Sequence, residues 1–166
     1  MEHLPQSPGT YPQLLDRIGR TLAAGRLTVY QAAKAAHLMT NWEIGRNIIE
    51  YEQQGKDRAE YGAQLLKHLS KDLTLLYGKG FSQSNVYYMR QFYLRFPIFQ
   101  PTGKLDWGHY CELFSLDDDL ERSFYIKQCE IEAWSVSELR RQVKSMLYHR
   151  LALSKDKEGV LEASFF

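Results

Sequence analysis

The chain has few cysteines and no membrane segment. Its two cysteines, Cys111 and Cys129, belong to no CxxC pair, and such isolated residues are most often buried, reduced thiols. No stretch approaches the roughly 18 uninterrupted apolar residues of a membrane span. The N-terminus also lacks the basic and then apolar segments of a secretory signal. The sequence therefore predicts a cytoplasmic protein without a membrane partner.

The motifs of common catalytic sites are also missing. The histidines are scattered without HxxxH or HExxH spacing, and no P-loop, GxGxxG or GxSxG sequence occurs. A PD-(D/E)xK nuclease site needs two acidic residues and a lysine around a divalent metal. No D/E-x-K triplet is present in the chain. The acidic run Asp117–Glu121 has no lysine or histidine placed to complete a metal site. We predict no catalytic residue, no metal and no cofactor, and expect His109 to be a core or capping residue.

Helical periodicity dominates what is present. Apolar residues form 44% of the chain, enough for one core, and the formal net charge is only +1, so any nucleic-acid role depends on local patches. We predict an all-α fold of about six to seven helices. Residues 1–10 should form a flexible tail, and 11–153 one helical domain, with halves 11–96 and 105–151 joined by the loop Pro97–Lys104. Residues 154–166 should form a second tail.

Capping residues and glycines predict where the helices begin and end. A first helix from Tyr11 should break at Gly25, and a capping box of Thr28 and Gln31 should start a second helix that runs to about Gln54. Asp57 and Glu60 should open the third helix, and Gly78 and Gly80 should end it. The fourth helix should be Ser82–Arg95, which ends before Pro97, and the fifth should be Asp106–Phe114. The sixth should open near Asp117, and the last should run from Ser135 to about Leu151.

The segment around residues 77–95 has a helix–turn–helix pattern. A short turn, GKGF, separates the helix that ends at Tyr77 from the helix that starts at Ser82. In such motifs the second helix enters the major groove, and its first residues face base edges. We expect the base-facing residues to be Gln83, Ser84, Tyr87 and Gln91. Phosphate contacts are expected from Ser82 at the helix N-terminus, Lys79, Arg90 and Arg95. For Arg90 a structural ion pair is the alternative, because it neighbours the core-facing Met89.

The charge distribution favours this interpretation. From Leu73 through Leu105 there is no Asp or Glu, whereas the same span has four cations and eight aromatic residues. A surface that faces phosphates excludes carboxylates, because each one repels the nucleic-acid backbone. So many aromatic rings cannot share one buried face, so some tyrosines should reach solvent or a partner. The alternatives are a core helix whose tyrosines reach water with their hydroxyls, and a protein–protein interface.

Two further segments without acidic residues carry cations. They are Arg17–Trp42, with Arg17, Arg20, Arg26 and Lys34, and Leu139–Lys155, with Arg140, Arg141, Lys144, Arg150 and Lys155. Either segment could be an ordinary solvated helix face. If they converge with the 82–95 helix on one side of the fold, they would extend a nucleic-acid footprint.

Several segments together resemble a known family. They are NWEIGRNIIEYEQQG (41–55), YGAQLLKHLSKDL (61–73), KGFSQSNVYYMRQFYLRFP (79–97), WGH (107–109), RSFYIKQCEIEAWSVSELRRQV (122–143) and YHR (148–150). From about Tyr11 to Arg150 the chain resembles the N-terminal domain of YhcG-type proteins, a bacterial domain of unknown function. The GFSxxNxxxMRxFY string (80–93) and the WGH triplet are its most specific parts. The chain departs from the family pattern at Tyr77–Gly78, where proline-glycine is usual, and at Asp106, where proline is usual.

The resemblance implies a helical, helix–turn–helix-like domain that a PD-(D/E)xK nuclease domain normally follows in cis. Residues 154–166 would then lead toward a nuclease domain that this chain does not contain. The function predicted is a non-catalytic module that positions double-stranded DNA through the 82–95 helix. The first alternative is a dimerisation or protein-interaction module, such as a homodimer, without direct DNA contact. The second is a self-contained enzyme.

Overall fold

The helices follow the predicted all-α pattern with two changes of boundary. The computed structural model describes residues 9–55 and 62–154, and this part of the chain contains seven helices and no strand. The helices are α1 (Tyr11–Gln53), α2 (Gly62–Tyr77), α3 (Gln83–Arg95), α4 (Trp107–Leu113), α5 (Asp119–Glu132), α6 (Val136–Lys144) and α7 (Leu147–Leu153). None of these helices is both long and apolar enough to cross a membrane.

The first change is that α1 is one continuous helix of 43 residues. The predicted break at Gly25 and the predicted start at Thr28 are wrong. Glycine inside a helix costs only about 1 kcal/mol relative to alanine, and the cooperative hydrogen bonding of a long helix outweighs this cost. The Thr28 hydroxyl donates to the Ala24 carbonyl oxygen at 3.0 Å, as a threonine inside a helix does.

The second change is that the predicted helix from Ser135 to Leu151 is two helices. It begins at the Ser135 cap as predicted, but α6 and α7 are separated at Met146, which has a φ of 56°. The buried Tyr125 hydroxyl lies at this break. It donates to the Gln142 carbonyl oxygen at 3.3 Å and accepts the Tyr148 N–H at 3.2 Å, so it satisfies backbone groups that a continuous helix would have paired.

Other helix ends agree with the sequence analysis. The α2 helix ends before Gly78, whose φ is 86°, and α3 is capped by Ser82 and ends at Arg95. The α5 helix is capped by Asp118 and has two acidic residues in its first turn, where the helix dipole favours negative charge. The predicted start at Asp57 and Glu60, most of the N-terminal tail, and the C-terminal tail from Lys155 lie outside the described residues.

The core is built around one phenylalanine of α3. Phe92 is fully buried, and its ring lies 4.6 Å from that of Phe99, 5.0 Å from that of Tyr110 and 5.6 Å from that of Phe114, centroid to centroid. The same core includes Leu38 of α1 and buried residues of α5 and α6. Because α3 packs against α1 on one side and against the later helices on another, the described part of the fold leaves one strip of its surface exposed to solvent.

Candidate nucleic-acid interface

The turn between α2 and α3 is held from both sides by side chains. Gly78 and Gly80 have φ values of 86° and 111°, which glycine adopts without steric cost. The Ser70 hydroxyl of α2 donates to the Phe81 carbonyl oxygen at 2.6 Å. The Asn85 amide of α3 donates to the Gly80 carbonyl oxygen at 2.5 Å. The turn therefore has one defined shape, which fixes where α3 begins.

Asn85 also ties this turn to the second half of the chain. Its side-chain oxygen accepts the Trp107 indole N–H at 2.8 Å, and Trp107 is the first residue of α4. Asn85 was not among the residues predicted to form the site. The sequence contained a signal that could have identified this contact, because Asn85 belongs to the GFSxxN string and Trp107 to the WGH triplet. The two most specific sequence segments are therefore joined by one hydrogen bond.

The inner face of α3 is apolar. Val86, Met89 and Phe92 are buried, and the partly buried Tyr93 ring lies 5.2 Å from the Trp42 ring of α1. The α1 helix approaches so closely at Gly45 that a Cβ atom there would overlap the Met89 carbonyl oxygen. The inner face of α3 therefore packs in the protein interior and is not available to a partner.

The predicted base-facing residues lie on the opposite side of α3. Gln83 and Ser84 are exposed, Gln91 is partly buried, and Tyr87 is 46% exposed. Lys79 and Ser82 are exposed in the preceding turn. The Ser82 hydroxyl oxygen accepts the Asn85 N–H at 3.2 Å, which leaves the hydroxyl proton available to another acceptor. We call Lys79, Ser82, Gln83, Ser84 and Tyr87 the α3 outer surface.

The two arginines of α3 are bonded within the chain. The Arg90 Nε lies 2.9 and 3.0 Å from the two carboxylate oxygens of Glu52 in α1, so the ion pair considered for this residue is present. Arg95, whose side chain is 20% exposed, donates to the Leu116 carbonyl oxygen and to Asp117, both at 3.1 Å. Carboxylates from other parts of the chain therefore form ion pairs with arginines of the span that has no acidic residue.

Several cations of the two other acid-free segments are also paired. Arg20 lies 2.6 Å from Asp16, and the Lys34 ammonium donates to the Lys104 carbonyl oxygen at 3.1 Å. Arg140 and Arg141 pair with Glu112 and Glu138 at 2.5 and 2.7 Å. The Arg20 and Arg141 pairs lie within one helix, as on solvated helix faces, whereas Lys34 and Arg140 contact other parts of the fold.

His109 is a buried structural residue, as expected. Its Nε2 donates to the Trp134 carbonyl oxygen at 2.8 Å, and its Nδ1 lies 2.8 Å from the Asp106 carboxylate. Asp106 caps α4, because its carboxylate accepts the His109 N–H at 3.3 Å. Burial raises the pKa of the Asp106 carboxyl, but hydrogen bonds and charge from His109, with the charge of Lys34, outweigh burial and lower the pKa.

The two cysteines are free thiols. Burial, with smaller contributions from neighbouring carboxylates, raises the pKa of both Cys111 and Cys129 to about 12. Because the thiolate is the reactive form, burial disfavours the reactive form of both side chains. Within residues 9–55 and 62–154, no three His, Cys, Asp or Glu side chains are grouped as a metal site would require.

Comparison with known proteins agrees with the resemblance seen in the sequence. Residues 17–150 match the family described as the DUF1016 N-terminal domain. The chain belongs to this family. A relative from Escherichia coli strain K12, named "Putative nuclease YhcG", is 35% identical, and the match covers 92% of this chain and 49% of the relative. The chain therefore spans about half the length of that relative. No solved structure matches the chain.

The most specific segments of this DUF1016 N-terminal domain serve its packing as well as its surface. Within 79–97, Asn85, Met89 and Phe92 hold α3 in place, whereas Gln83, Ser84 and Tyr87 face outward. In the WGH triplet, Trp107 bonds Asn85 and His109 bonds Trp134. Where proline is usual before this triplet, Asp106 supplies the cap of α4. Gly78 forms the turn before KGFS without a preceding proline.

Proposed function

We propose that this domain is a non-catalytic module that binds duplex DNA through the α3 outer surface and positions it for a nuclease domain. The observation that carries the proposal is the exposure of the start of α3 between a glycine turn and a packed inner face. The similarity to a protein named as a nuclease supports a nucleic-acid substrate.

The chemistry of the α3 outer surface suits a nucleic-acid groove. Lys79, Gln83 and Ser84 are exposed, and their side chains make no hydrogen bond to a described residue. The first backbone N–H groups of a helix lack intrahelical acceptors and attract a phosphate. An amide such as that of Gln83 pairs with an adenine edge, and the Tyr87 hydroxyl can bond a phosphate. Gln91 would contact the groove at the edge of this surface.

In this proposal Arg90 and Arg95 position α3. A phosphate would compete with Glu52 for Arg90 and with Asp117 for Arg95, so we assign the main phosphate contacts to Lys79 and the helix N-terminus. Few cations then contact DNA, and we expect micromolar rather than nanomolar affinity at physiological salt. Charge reversal at Arg95 is a poor test, because it would place a carboxylate against the Leu116 carbonyl oxygen.

A titration against duplex DNA, single-stranded DNA and RNA at several salt concentrations tests the proposal. The decisive variant is Lys79→Glu, and the matched control is Lys144→Glu on α6, since both lysines are exposed and both changes alter net charge equally. We expect Lys79→Glu to weaken duplex binding about tenfold or more and to reduce the salt slope by about one. Lys144→Glu should weaken it less than about threefold, through net charge alone.

Alanine substitutions at two serines distinguish an effect on DNA binding from an effect on stability. Ser82→Ala removes the α3 cap and should lower the free energy of unfolding by about 1 kcal/mol, whereas Ser84→Ala should leave stability within about 0.5 kcal/mol. Both variants should weaken DNA binding. The proposal fails if the unmodified chain does not bind duplex DNA at low salt, or if Lys79→Glu and Lys144→Glu weaken binding equally.

A further inference from the structure

The first half of α1 projects beyond the rest of the described fold. All residues from Tyr11 to Ala33 are exposed, and the buried residues of α1 begin at Leu38. Contact with the rest of the fold starts near Gln31, which lies against Gly103, and Lys34, which donates to the Lys104 carbonyl oxygen. The turns of α1 before Leu27 have no neighbouring helix among the described residues, whereas Leu27 and Tyr30 line a cavity with Cys129 and Glu130 of α5.

Two stripes run along α1 on opposite faces. The stripe that faces the fold is Leu27, Gln31, Lys34, Leu38, Asn41, Gly45 and Ile48. The second, which we call the outer stripe, is Tyr11, Leu15, Ile18, Leu22, Gly25, Val29, Ala32 and Ala36. At 3.6 residues per turn the two stripes lie about half a turn apart. The outer stripe therefore points away from the core, and no part of the described fold covers it.

The outer stripe has the spacing of a coiled coil. Its positions alternate by four and three residues from 11 to 36, which is the a/d pattern over more than three heptads. Its large side chains are exposed, with Ile18 at 47%, Leu22 at 56% and Val29 at 71%. A run of apolar residues with this register on an otherwise solvated helix is typical of a helix that pairs with another helix.

Gly25 supplies a separate observation. Glycine weakens an exposed helix interior, and no atom of a described residue lies within 4 Å of the position that a Cβ would occupy there. The described part of the chain therefore gives no steric reason for a glycine at this position. Thr21, Leu22, Gly25, Arg26 and Val29 help to line a shallow apolar notch at this point. Small residues at a helix seam allow a second helix to approach closely.

We propose that the outer stripe pairs with the outer stripe of a second copy of this chain, forming a two-fold symmetric helical dimer. In a two-fold symmetric pair the same surface patch of both copies forms the contact, so charge at the edges of the stripe must not repel itself. The flanking positions contain one cation, Arg26, and no acidic residue, whereas Asp16, Arg17 and Arg20 lie away from the stripe. Two copies can therefore approach without like-charge repulsion along most of the seam.

The available area is sufficient for such a dimer. The segment from 11 to 36 is about 38 Å long at 1.5 Å per residue, and half the surface of a helix about 10 Å wide is then on the order of 600 Å². This matches the roughly 600 Å² per partner at the lower limit of stable interfaces. Because the outer stripe faces away from the fold, the two folds lie on the outside of the helical pair and do not obstruct it.

Charge and shape favour this occupant over nucleic acid or a lipid surface. A polyanion would bind a row of cations, but the outer stripe itself has none. An interfacial membrane helix usually presents large apolar side chains along its buried face, whereas the outer stripe ends in Gly25, Ala32 and Ala36 around Val29. The inference is independent of DNA binding, because the α3 outer surface contributes nothing to the seam.

Sedimentation velocity of the full chain from about 1 to 100 µM tests the dimer by mass action. We expect a species of twice the 19.4 kDa chain mass. Leu22→Glu should raise the dissociation constant at least about 100-fold, because each dimer would bury two unpaired carboxylates. Ala23→Glu is the matched control, since Ala23 is the adjacent exposed residue on a different face, and it should change the constant less than about threefold.

Circular dichroism should show unchanged helix content in both variants, because both positions are exposed. A wild-type chain that remains monomeric at the highest concentration overturns the inference, as does a Leu22→Glu variant that remains as dimeric as Ala23→Glu. A third outcome would also overturn the dimer: the wild-type chain binds anionic vesicles or DNA without dimerising, and Leu22→Glu abolishes this binding whereas Ala23→Glu does not. The outer stripe would then be assigned to that ligand.

Discussion

Gly45 shows how a single missing side chain sets the distance between two helices. It is buried at the crossing of α1 and α3, where an added Cβ would lie 2.8 Å from the Met89 carbonyl carbon. Real Cβ atoms do not approach backbone that closely, so a larger residue would push α3 outward. Because α3 has the proposed DNA-contacting residues on its other face, Gly45 affects the position of that surface without taking part in it.

Replacing Gly45 with alanine should lower the free energy of unfolding by about 1–3 kcal/mol, the usual cost of overpacking a core. Gly19→Ala is the matched control, since no atom lies within 4 Å of the added Cβ, and it should raise stability by up to about 1 kcal/mol. Urea denaturation of both variants checks this. Stabilisation by both substitutions would contradict the close approach of α1 and α3.

Asp106 should make the fold sensitive to acid. Burial alone would raise the pKa of the Asp106 carboxyl, but the contacts with His109 outweigh burial and hold this pKa below its ordinary value. A carboxyl with a lowered pKa in the folded state adds stability above its unfolded pKa of about 3.9, and this contribution is lost as the pH falls through the folded value. The ionised form of Asp106 therefore stabilises the start of α4 at neutral pH.

The variant Asp106→Asn keeps a capping side chain but cannot ionise. We expect it to be less stable than the wild type at pH 7, with the difference shrinking as the pH falls below about 4. Denaturant unfolding at a series of pH values measures this difference. A constant difference across that range would show that Asp106 acts as a cap alone.

At the scale of elements, the helix ends are held by a few residues in unusual backbone conformations. Ala133 ends α5 with a φ of 52° and a ψ of 42°, which is the left-handed region, and Met146 has a similar conformation between α6 and α7. Non-glycine residues adopt this region at a cost of roughly 1–2 kcal/mol. The surrounding contacts, such as the Tyr125 hydroxyl at the α6–α7 break, offset that cost.

Ala133→Gly should therefore stabilise the domain by about 0.5 kcal/mol, because relief of the left-handed strain exceeds the entropy that glycine adds to the unfolded chain. The same change in the middle of an exposed helix, Ala24→Gly, should destabilise it by about 1 kcal/mol. Thermal unfolding of the two variants should show shifts of opposite sign. Shifts of the same sign would contradict the assignment of Ala133 as a left-handed helix end.

At the scale of the whole molecule, the aromatic cluster around Phe92 joins the segments on both sides of the Pro97–Lys104 loop. Phe92 comes before this loop, Phe99 lies in it, and Tyr110 and Phe114 come after it, yet their rings are in contact. Residues that share one core lose their packing together. The two predicted halves should therefore unfold as one cooperative unit.

Phe92→Ala should lower the free energy of unfolding by about 3–5 kcal/mol, since it removes a fully buried ring. Leu94→Ala, on the exposed side of the same helix, should change it by less than about 0.5 kcal/mol. Urea unfolding followed by far-ultraviolet circular dichroism and by tryptophan fluorescence should give coincident transitions. Separate transitions for the two signals would show that the halves fold independently.

Local patterns in the sequence were sufficient for the fold class and most helix ends. The period of apolar residues, the Ser82 cap and Gly78 act through neighbouring backbone, so they can be recognised without knowing the tertiary contacts. The core-facing position of Met89 on α3 was predicted for the same reason. Helix breaks were predicted less well, because a single glycine such as Gly25 costs too little to end a helix that is otherwise favourable.

The sequence by itself determined that the chain is all-α, that it belongs with the DUF1016 N-terminal domains, and that α3 has one apolar and one polar face. The tertiary structure alone decided which cations are available. Arg90 and Arg95 lie far along the chain from Glu52 and Asp117, and folding brings each pair within hydrogen-bond distance. Charge pairing depends on distance in space, so a span without carboxylates in the sequence need not be free of them on the surface.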